Sequence, residues 1–277
     1  MTPGRRRTLV VMLAMTLVPL SATAQPLLLE LMQRYGVVLP GRGIEGAFDE
    51  GMEPSVAVTP GALAGPLAML STATGKDQIA AAYAFGILAG RSGRAAAPAE
   101  LTSAGHALLQ LVNSGDRRAR IAGARVAGRV FAVAFDLAAL DLRPPGLGAA
   151  LFALLNQSND TEQLAAMDAL GLTRDATAVS ALTERYSFYR NAGRRALAGG
   201  ALEALARIGD PTTTDLVRLL VNDRWAEGSD ATALAAAFAR QRLLKDGSIA
   251  VIQQALGDRS LWAQARGYLA ELGAPVP

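Results

Sequence analysis

The sequence predicts an all-α protein folded as an alpha-alpha superhelix, that is, a solenoid of stacked helix pairs. Ala-rich runs with apolar residues at helical spacing recur along the chain, and short breaks at Asp separate them about every 35 residues. Only 5% of the residues are aromatic although 51% are hydrophobic. We therefore expect a core of small side chains between closely packed helices.

The first 24 residues have the pattern of a cleavable signal peptide. Three arginines at 5–7 precede an apolar run over 8–20, and residues 22–24 form an Ala-Thr-Ala cleavage site. The apolar run is shorter than the roughly 20 residues that a membrane span requires. No later stretch is apolar over that length, so the sequence predicts a mature periplasmic or secreted chain that begins near Gln25 and has no transmembrane segment.

Removal of this segment changes the charge balance of the protein. It holds three of the 27 Lys and Arg residues and none of the 24 acidic residues, so 24 basic residues face 24 acidic ones in the mature chain. The sequence pI of about 9.6 therefore gives no reason to expect a nucleic-acid partner. The chain has no cysteine, which excludes disulfides and thiolate metal ligands.

Residues 25–74 are predicted to form an N-terminal cap. A short helix is expected from Pro26 to Tyr35, and the Gly- and Pro-marked stretch 36–60 is expected to be irregular. A weak first repeat follows, with helices at 77–90 and about 100–112. Atypical end units of this kind shield the open apolar faces of a repeat array.

The array itself is predicted to span residues 75–277, with its clearest copy around Asp210. Equivalent corners fall at Asp141, Asp175 and Asp246, at separations of 34, 35 and 36 residues. Nine residues before each corner stands a small residue, and eight residues before it a larger apolar one, so that neighbouring helices can approach closely. The small residues are Ala132, Ala166, Ala201 and Ala237, the larger ones are Val133, Met167, Leu202 and Phe238, and the apolar face after the corner is Leu147, Leu182, Leu216 and Ile252.

The copy over residues 194–223 carries a family resemblance. Its Arg-Arg start, Ala-rich helix, Ile-Gly-Asp-Pro corner at 208–211 and Leu-rich second helix resemble HEAT repeats, particularly the short form of phycobilisome-lyase-like proteins. The resemblance covers roughly residues 75–273, and the corners at Asp141 and Asp175 depart from the Gly-Asp-Pro pattern. It implies an armadillo-like superhelix whose second helices line a concave binding surface, and it implies no particular ligand.

No pattern in the sequence predicts catalysis, a metal site or a cofactor. His106 is the only histidine, so paired-histidine metal sites are excluded. No nucleotide-binding glycine motif is present. The carboxylates within the repeats that could act as acids or bases are better explained by helix capping and solvation; they are Asp136, Asp141, Asp160, Glu162 and Asp168.

Two arginine-rich clusters are the candidate partner-binding residues. The first is a basic stripe at steps of seven and four on one predicted helix, and the second interleaves aromatic and basic residues near a junction between repeats. A solvated face and core packing of the aromatics are the alternative interpretations. The candidates are Arg118, Arg125 and Arg129 in the first cluster, and Arg185, Tyr189, Arg190 and Arg194 in the second.

These observations together predict an exported, non-enzymatic helical-repeat scaffold that mediates protein–protein interaction in the cell envelope. Two alternatives stay open. One is an enzyme or enzyme subunit that uses carboxylates and arginines in the groove. The other is a binder of an anionic envelope polymer.

Overall fold

The computed structural model describes residues 24–59, 61–90, 93–132, 142–209, 228 and 230–275. Every regular element in these residues is helical, which confirms the predicted all-α class. The α-helices are α1 Ala24–Tyr35, α2 Gly43–Asp49, α3 Ala64–Thr72, α4 Gly75–Ala89, α5 Pro98–Val112, α6 Arg117–Val130, α7 Leu147–Leu154, α8 Asp160–Leu172, α9 Val179–Asn191, α10 Arg195–Ile208, α11 Ala231–Leu244, α12 Ile249–Gln254 and α13 Trp262–Glu271. The predicted signal peptide up to residue 23, the corners at Asp141 and Asp210, and the column residues Val133 and Leu216 lie outside the described residues.

The N-terminal cap contains a helix that the sequence did not predict. Helix α1 agrees with the expected Pro26–Tyr35 segment, but α2 lies inside the stretch that was expected to be irregular. Its residues Ile44, Ala47 and Phe48 are buried, at the spacing of one helical face, and α2 packs against α4. The glycine-rich flanks of this short segment hid its amphipathic pattern.

Helices α4, α6, α8, α10 and α11 form a row, which we call the main row, in which each helix packs against the next. The helix that precedes each of the first four members packs back onto it, giving the hairpins α3–α4, α5–α6, α7–α8 and α9–α10. Helix α9 thus packs mainly on α10, which follows it, and makes fewer contacts with α8, which precedes the Asp175 corner. The sequence predicted repeat units that join the helix before an Asp corner to the helix after it. The packed hairpins are offset from these units by one helix, because each main-row helix packs on the helix that precedes it.

The described members of both predicted columns are buried except Ala132, which is half-buried just after α6, and Leu147, Leu182 and Ile252 after the corners are buried too. The tightest helix contacts, however, involve glycine. A Cβ added at Gly128 of α6 would lie 2.7 Å from the Cα of Ala169 on α8, and one at Gly171 of α8 would lie 2.7 Å from the Cα of Ala204 on α10. The backbones of main-row helices are therefore in direct contact. The small-residue pattern predicts close helix contacts of this sort.

Two of the predicted corners are capped by their Asp side chains. Asp175 accepts hydrogen bonds from the backbone N–H of Thr177 at 3.1 Å and from its hydroxyl at 2.6 Å. Asp246 accepts the same two bonds from Ser248, at 3.1 and 2.6 Å. These bonds satisfy donors at the start of the following helical segment, which explains why Asp recurs at the period of the repeat.

Candidate functional site

A groove of about 1310 Å³ runs along the carboxyl-terminal ends of the main row. Its walls are the last turns of α4, α6, α8, α10 and α11, together with α13 and residues 50–58 after α2, which we call the strap. The lining helices precede the Asp corners, whereas the resemblance implied that the second helices line the binding surface. In the packed hairpins, α6, α8 and α10 do stand second.

The centre of the groove is organised around Arg207, whose side chain is only 9% exposed. Its guanidinium lies 2.5 Å from an oxygen of Asp168 on α8 and 2.6 Å from one of Glu203 on α10. It also donates to both oxygens of Glu271 on α13, at 2.9 and 2.8 Å. Burial of this cation is compensated by charge-assisted hydrogen bonds that tie three helices together.

Glu203 is the ionisable group of the groove whose acidity is most unusual. Burial raises its pKa to about 7, against the opposing effect of Arg207 and with a further rise from Asp168. The carboxylate is also hydrogen-bonded to the hydroxyl of Tyr268, which accepts a hydrogen bond of 2.7 Å from the Gln264 amide. Glu203 therefore gains a proton near neutral pH.

The other end of the groove is held by Arg129, which is buried. It donates to the carbonyl oxygens of Phe48 and Met52, each at 3.2 Å, and its guanidinium carbon lies 4.9 Å from the centre of the Phe48 ring. Arg125 contacts Asp49 at 2.5 Å. These arginines join α6 to α2 and to the start of the strap.

The predicted basic stripe is therefore not an exposed surface. Arg118 is exposed, but Arg125 is mostly covered and Arg129 is buried, because α2 packs where the sequence alone indicated solvent. Arg129 is the only one of the seven predicted partner-binding residues that lines the groove.

The second predicted cluster belongs to the packing of α9 and α10 on α8, outside the groove. Tyr189 is fully buried and donates a 3.0 Å hydrogen bond to Gln163. Arg194 is ion-paired with Asp160, and Arg185 donates to Asn156 at 2.6 Å, whereas Arg190 is exposed. An alanine at 189 would leave a cavity in the core, so the position of Tyr189 agrees with the alternative interpretation, core packing of the aromatics.

Apart from Arg129 and Asp168, sequence reasoning missed the charged residues that form the groove. Glu203 and Arg207 carried a usable signal, because they are charged residues four apart in an otherwise apolar Ala-rich helix. Glu271, Arg242 and Trp262 carried none, since nothing in their local sequence indicates which surface α11 and α13 share.

Within the part of the chain that the structure describes, no group of three His, Cys, Asp or Glu side chains is arranged to hold a metal ion. None of the described helices has the length and apolar character needed to cross a membrane. His106 is exposed on α5. No family model, no curated protein and no solved structure matches this chain.

Proposed function

We propose that the protein is an exported, non-enzymatic scaffold of the HEAT-like solenoid type, which binds a segment of a partner protein in the groove. The groove carries this proposal. Its volume of about 1310 Å³ exceeds the roughly 300–1,000 Å³ of typical small-molecule sites. The five main-row helices that line it lie side by side, which is typical of the extended binding surfaces of helical-repeat proteins.

The contacts between neighbouring helices support the solenoid part of the proposal. Each main-row helix meets the next in chain order, and polar contacts between them recur at the repeat length. Arg194 pairs with Asp160 over 34 residues, and Arg195 pairs with Asp230 over 35. Arg242 donates to the Ala206 carbonyl over 36 residues. Such nearest-neighbour contacts are what a stack of similar units requires.

Exposed apolar side chains in the groove support a protein partner. Val56 on the strap is 55% exposed and Trp262 on α13 is 41% exposed, and both line the groove. Arg266 lies over the Trp262 ring, 5.3 Å from its centre. Exposed Trp and Arg side chains are enriched at the centres of protein interfaces.

Site-specific photo-crosslinking in intact cells tests the proposal. A benzoyl-phenylalanine replaces Val56 or Trp262 in the groove, and Phe188 serves as the matched control because it is 56% exposed on α9 outside the groove. We expect the two groove positions to capture the same protein and position 188 to capture none of it. Capture from Phe188 alone, or from no position, would contradict binding in the groove.

We also propose that cleavage after Ala24 releases the protein into the periplasm. The three arginines at 5–7, the apolar run over 8–20 and the Ala-Thr-Ala site at 22–24 support this proposal. Amino-terminal sequencing of the protein from a periplasmic fraction should begin at Gln25. Recovery of the intact chain from the cytoplasm would contradict export.

A second candidate function, an enzyme that uses Glu203 as a general acid or base, is favoured by one observation. An inward-facing carboxyl group with a pKa of about 7 beside Tyr268 suits proton transfer at neutral pH. Incubation of a periplasmic extract with the protein and with Glu203→Gln separates the two functions. A compound consumed only by the unsubstituted protein would establish the enzyme, whereas unchanged extracts and retained crosslinking are expected for the scaffold.

A further inference from the structure

The groove charges that have no ion-pair partner among the described residues are divided between its two ends. Glu50 and Glu53 give the strap two negative charges, and Arg94 after α4 and Arg129 on α6 lie beside it. Arg242 on α11 and Arg266 on α13 lie at the other end. The partner that occupies the groove therefore meets the strap carboxylates at one end and these two guanidinium groups at the other.

Contacts with α10 and with its own helix hold Arg242 in position, but only its Nε donates a hydrogen bond to a described residue. Its Nε donates to the Ala206 carbonyl at 3.1 Å, and its guanidinium lies 5.9 Å from the centre of the Phe238 ring. Glu271 is near but already gives both oxygens to Arg207. The two terminal nitrogens of Arg242 have no hydrogen-bond acceptor in the described chain.

The electrostatic surroundings of Arg242 are short of negative charge. Burial is the main cause that lowers its pKa, and the positive charges of Arg174 and Arg207 add to this effect against the attraction of Glu271. A ligand carboxylate at the terminal nitrogens would relieve this shortage, because hydrogen bonds between a guanidinium and a carboxylate are among the strongest in proteins.

The net charge at the α11–α13 end of the groove is also positive. Three carboxyl groups surround Arg207, and one of them is Glu203 with its raised pKa, so their negative charge does not exceed the positive charge of Arg207, Arg174 and Arg242. Arg266 then adds one positive charge, and it stands against the exposed ring of Trp262. A flat aromatic face beside two guanidinium groups can contact the backbone of a peptide while its carboxylates are bound.

We propose that the wall formed by α11 and α13 binds an acidic segment of the partner protein. Asp or Glu carboxylates of that segment accept hydrogen bonds from Arg242 and Arg266, and its backbone packs on Trp262. The acidic strap repels the same segment from the opposite end, so the segment is placed at the α11–α13 wall. This inference rests on the proposed function and names the chemistry of the partner.

Fluorescence anisotropy with the mature chain tests this inference. The probe is a fluorescein-labelled peptide in which Glu alternates with Ser, and the comparison peptide carries Lys in place of Glu. We expect Arg266→Gln and Arg242→Gln each to weaken binding of the Glu peptide about tenfold. The matched control Arg118→Gln removes the same charge at an exposed site outside the groove and should leave binding unchanged.

Several outcomes would overturn the inference. These are no binding of the Glu peptide, equal binding of the Lys peptide, an equal loss in Arg118→Gln, or an unaffected Arg266→Gln. Tighter binding of polyphosphate than of the Glu peptide would assign the wall to an anionic polymer instead. If the Glu peptide fails while crosslinkers at Val56 and Trp262 still capture a protein, the inference is wrong and the proposed function stands.

Discussion

Arg207 and Glu203 are four residues apart on α10, and their burial shapes the energetics of the groove. A buried guanidinium is stable here because three carboxylates reach it from α8, α10 and α13. The pKa of Glu203 is raised as a result of this burial. Its carboxyl group is too deeply buried to ionise at its ordinary pKa, even with Arg207 in contact.

The raised pKa of Glu203 predicts a pH-dependent stability. Its pKa is about 7 in the folded protein and 4.5 ordinarily, so the folded state keeps a proton that the unfolded state has lost. The free energy of unfolding should therefore fall by about 1–3 kcal/mol as the pH rises through that window. Glu203→Gln should flatten the fall, as measured by urea unfolding across this range.

The control for this prediction is Glu53→Gln, which removes a carboxylate from the exposed strap and should leave the slope unchanged. Asp49 contributes to the slope in the same direction, since burial also raises its pKa, so some pH dependence should persist in Glu203→Gln. An unaltered slope in Glu203→Gln would show that Glu203 ionises at its ordinary pH.

Gly128 provides a second prediction at the scale of single residues. Gly128→Ala would place a methyl group 2.7 Å from the Cα of Ala169, and backbone cannot yield as a flexible side chain can. We expect a loss of about 1–3 kcal/mol in the free energy of unfolding, despite the better helix propensity of alanine. Gly65→Ala on α3, where no atom lies within 4 Å, should be neutral or slightly stabilising. Equal effects of the two substitutions would contradict the close contact.

At the scale of elements, the sequence predicted what local spacing determines. The corners at Asp175 and Asp246 and the buried columns on α8, α10 and α11 were predictable, because one helix face repeats every few residues. Helix α2 was not, since its apolar face is only two turns long. The internal role of Arg125 and Arg129 could not be predicted either, because their partners lie on α2 and just after it, far away in the chain.

Because Arg129 of α6 holds the end of α2 and the start of the strap, its removal should let this segment open locally. Arg129→Gln would lose the cation–π contact and the paired donors that bond the Phe48 and Met52 carbonyl groups. Amide hydrogen exchange should accelerate over residues 44–58 while α8 and α10 stay protected. Arg118→Gln on the same helix is the control and should exchange like the unsubstituted protein. Unchanged protection of the strap in Arg129→Gln would show that it is held in place by other contacts.

At the scale of the whole molecule, the groove could not be predicted because its walls come from distant parts of the chain. The strap precedes the main row and α13 follows it, yet both line the same cavity. Periodicity predicts that such a surface exists but not which end units close it. The sequence alone therefore could not predict which charged residues lie at each end of the groove.

The order of helix contacts predicts a gradient of stability along the molecule. Helices α8 and α10 have main-row neighbours on both sides, whereas α1 packs chiefly on α4, and α12 packs on α11 and α13. In a stack of nearest neighbours the ends open first. Hydrogen exchange should therefore be slowest in α8 and α10 and fastest in α1 and α12. Uniform exchange across all the described helices would contradict this order.

The position of α13 in the groove wall also has a consequence for biosynthesis. The ribosome makes α13 after the strap and the main row, so a growing chain that already has its strap and most of the main row still lacks Trp262, Arg266 and Glu271. Arg207 at that stage lacks the carboxylate that it binds through two nitrogens. The wall of the groove is therefore complete only after α13 has been made, and a nascent chain that stops before α13 has an open groove with an incomplete set of charges around Arg207.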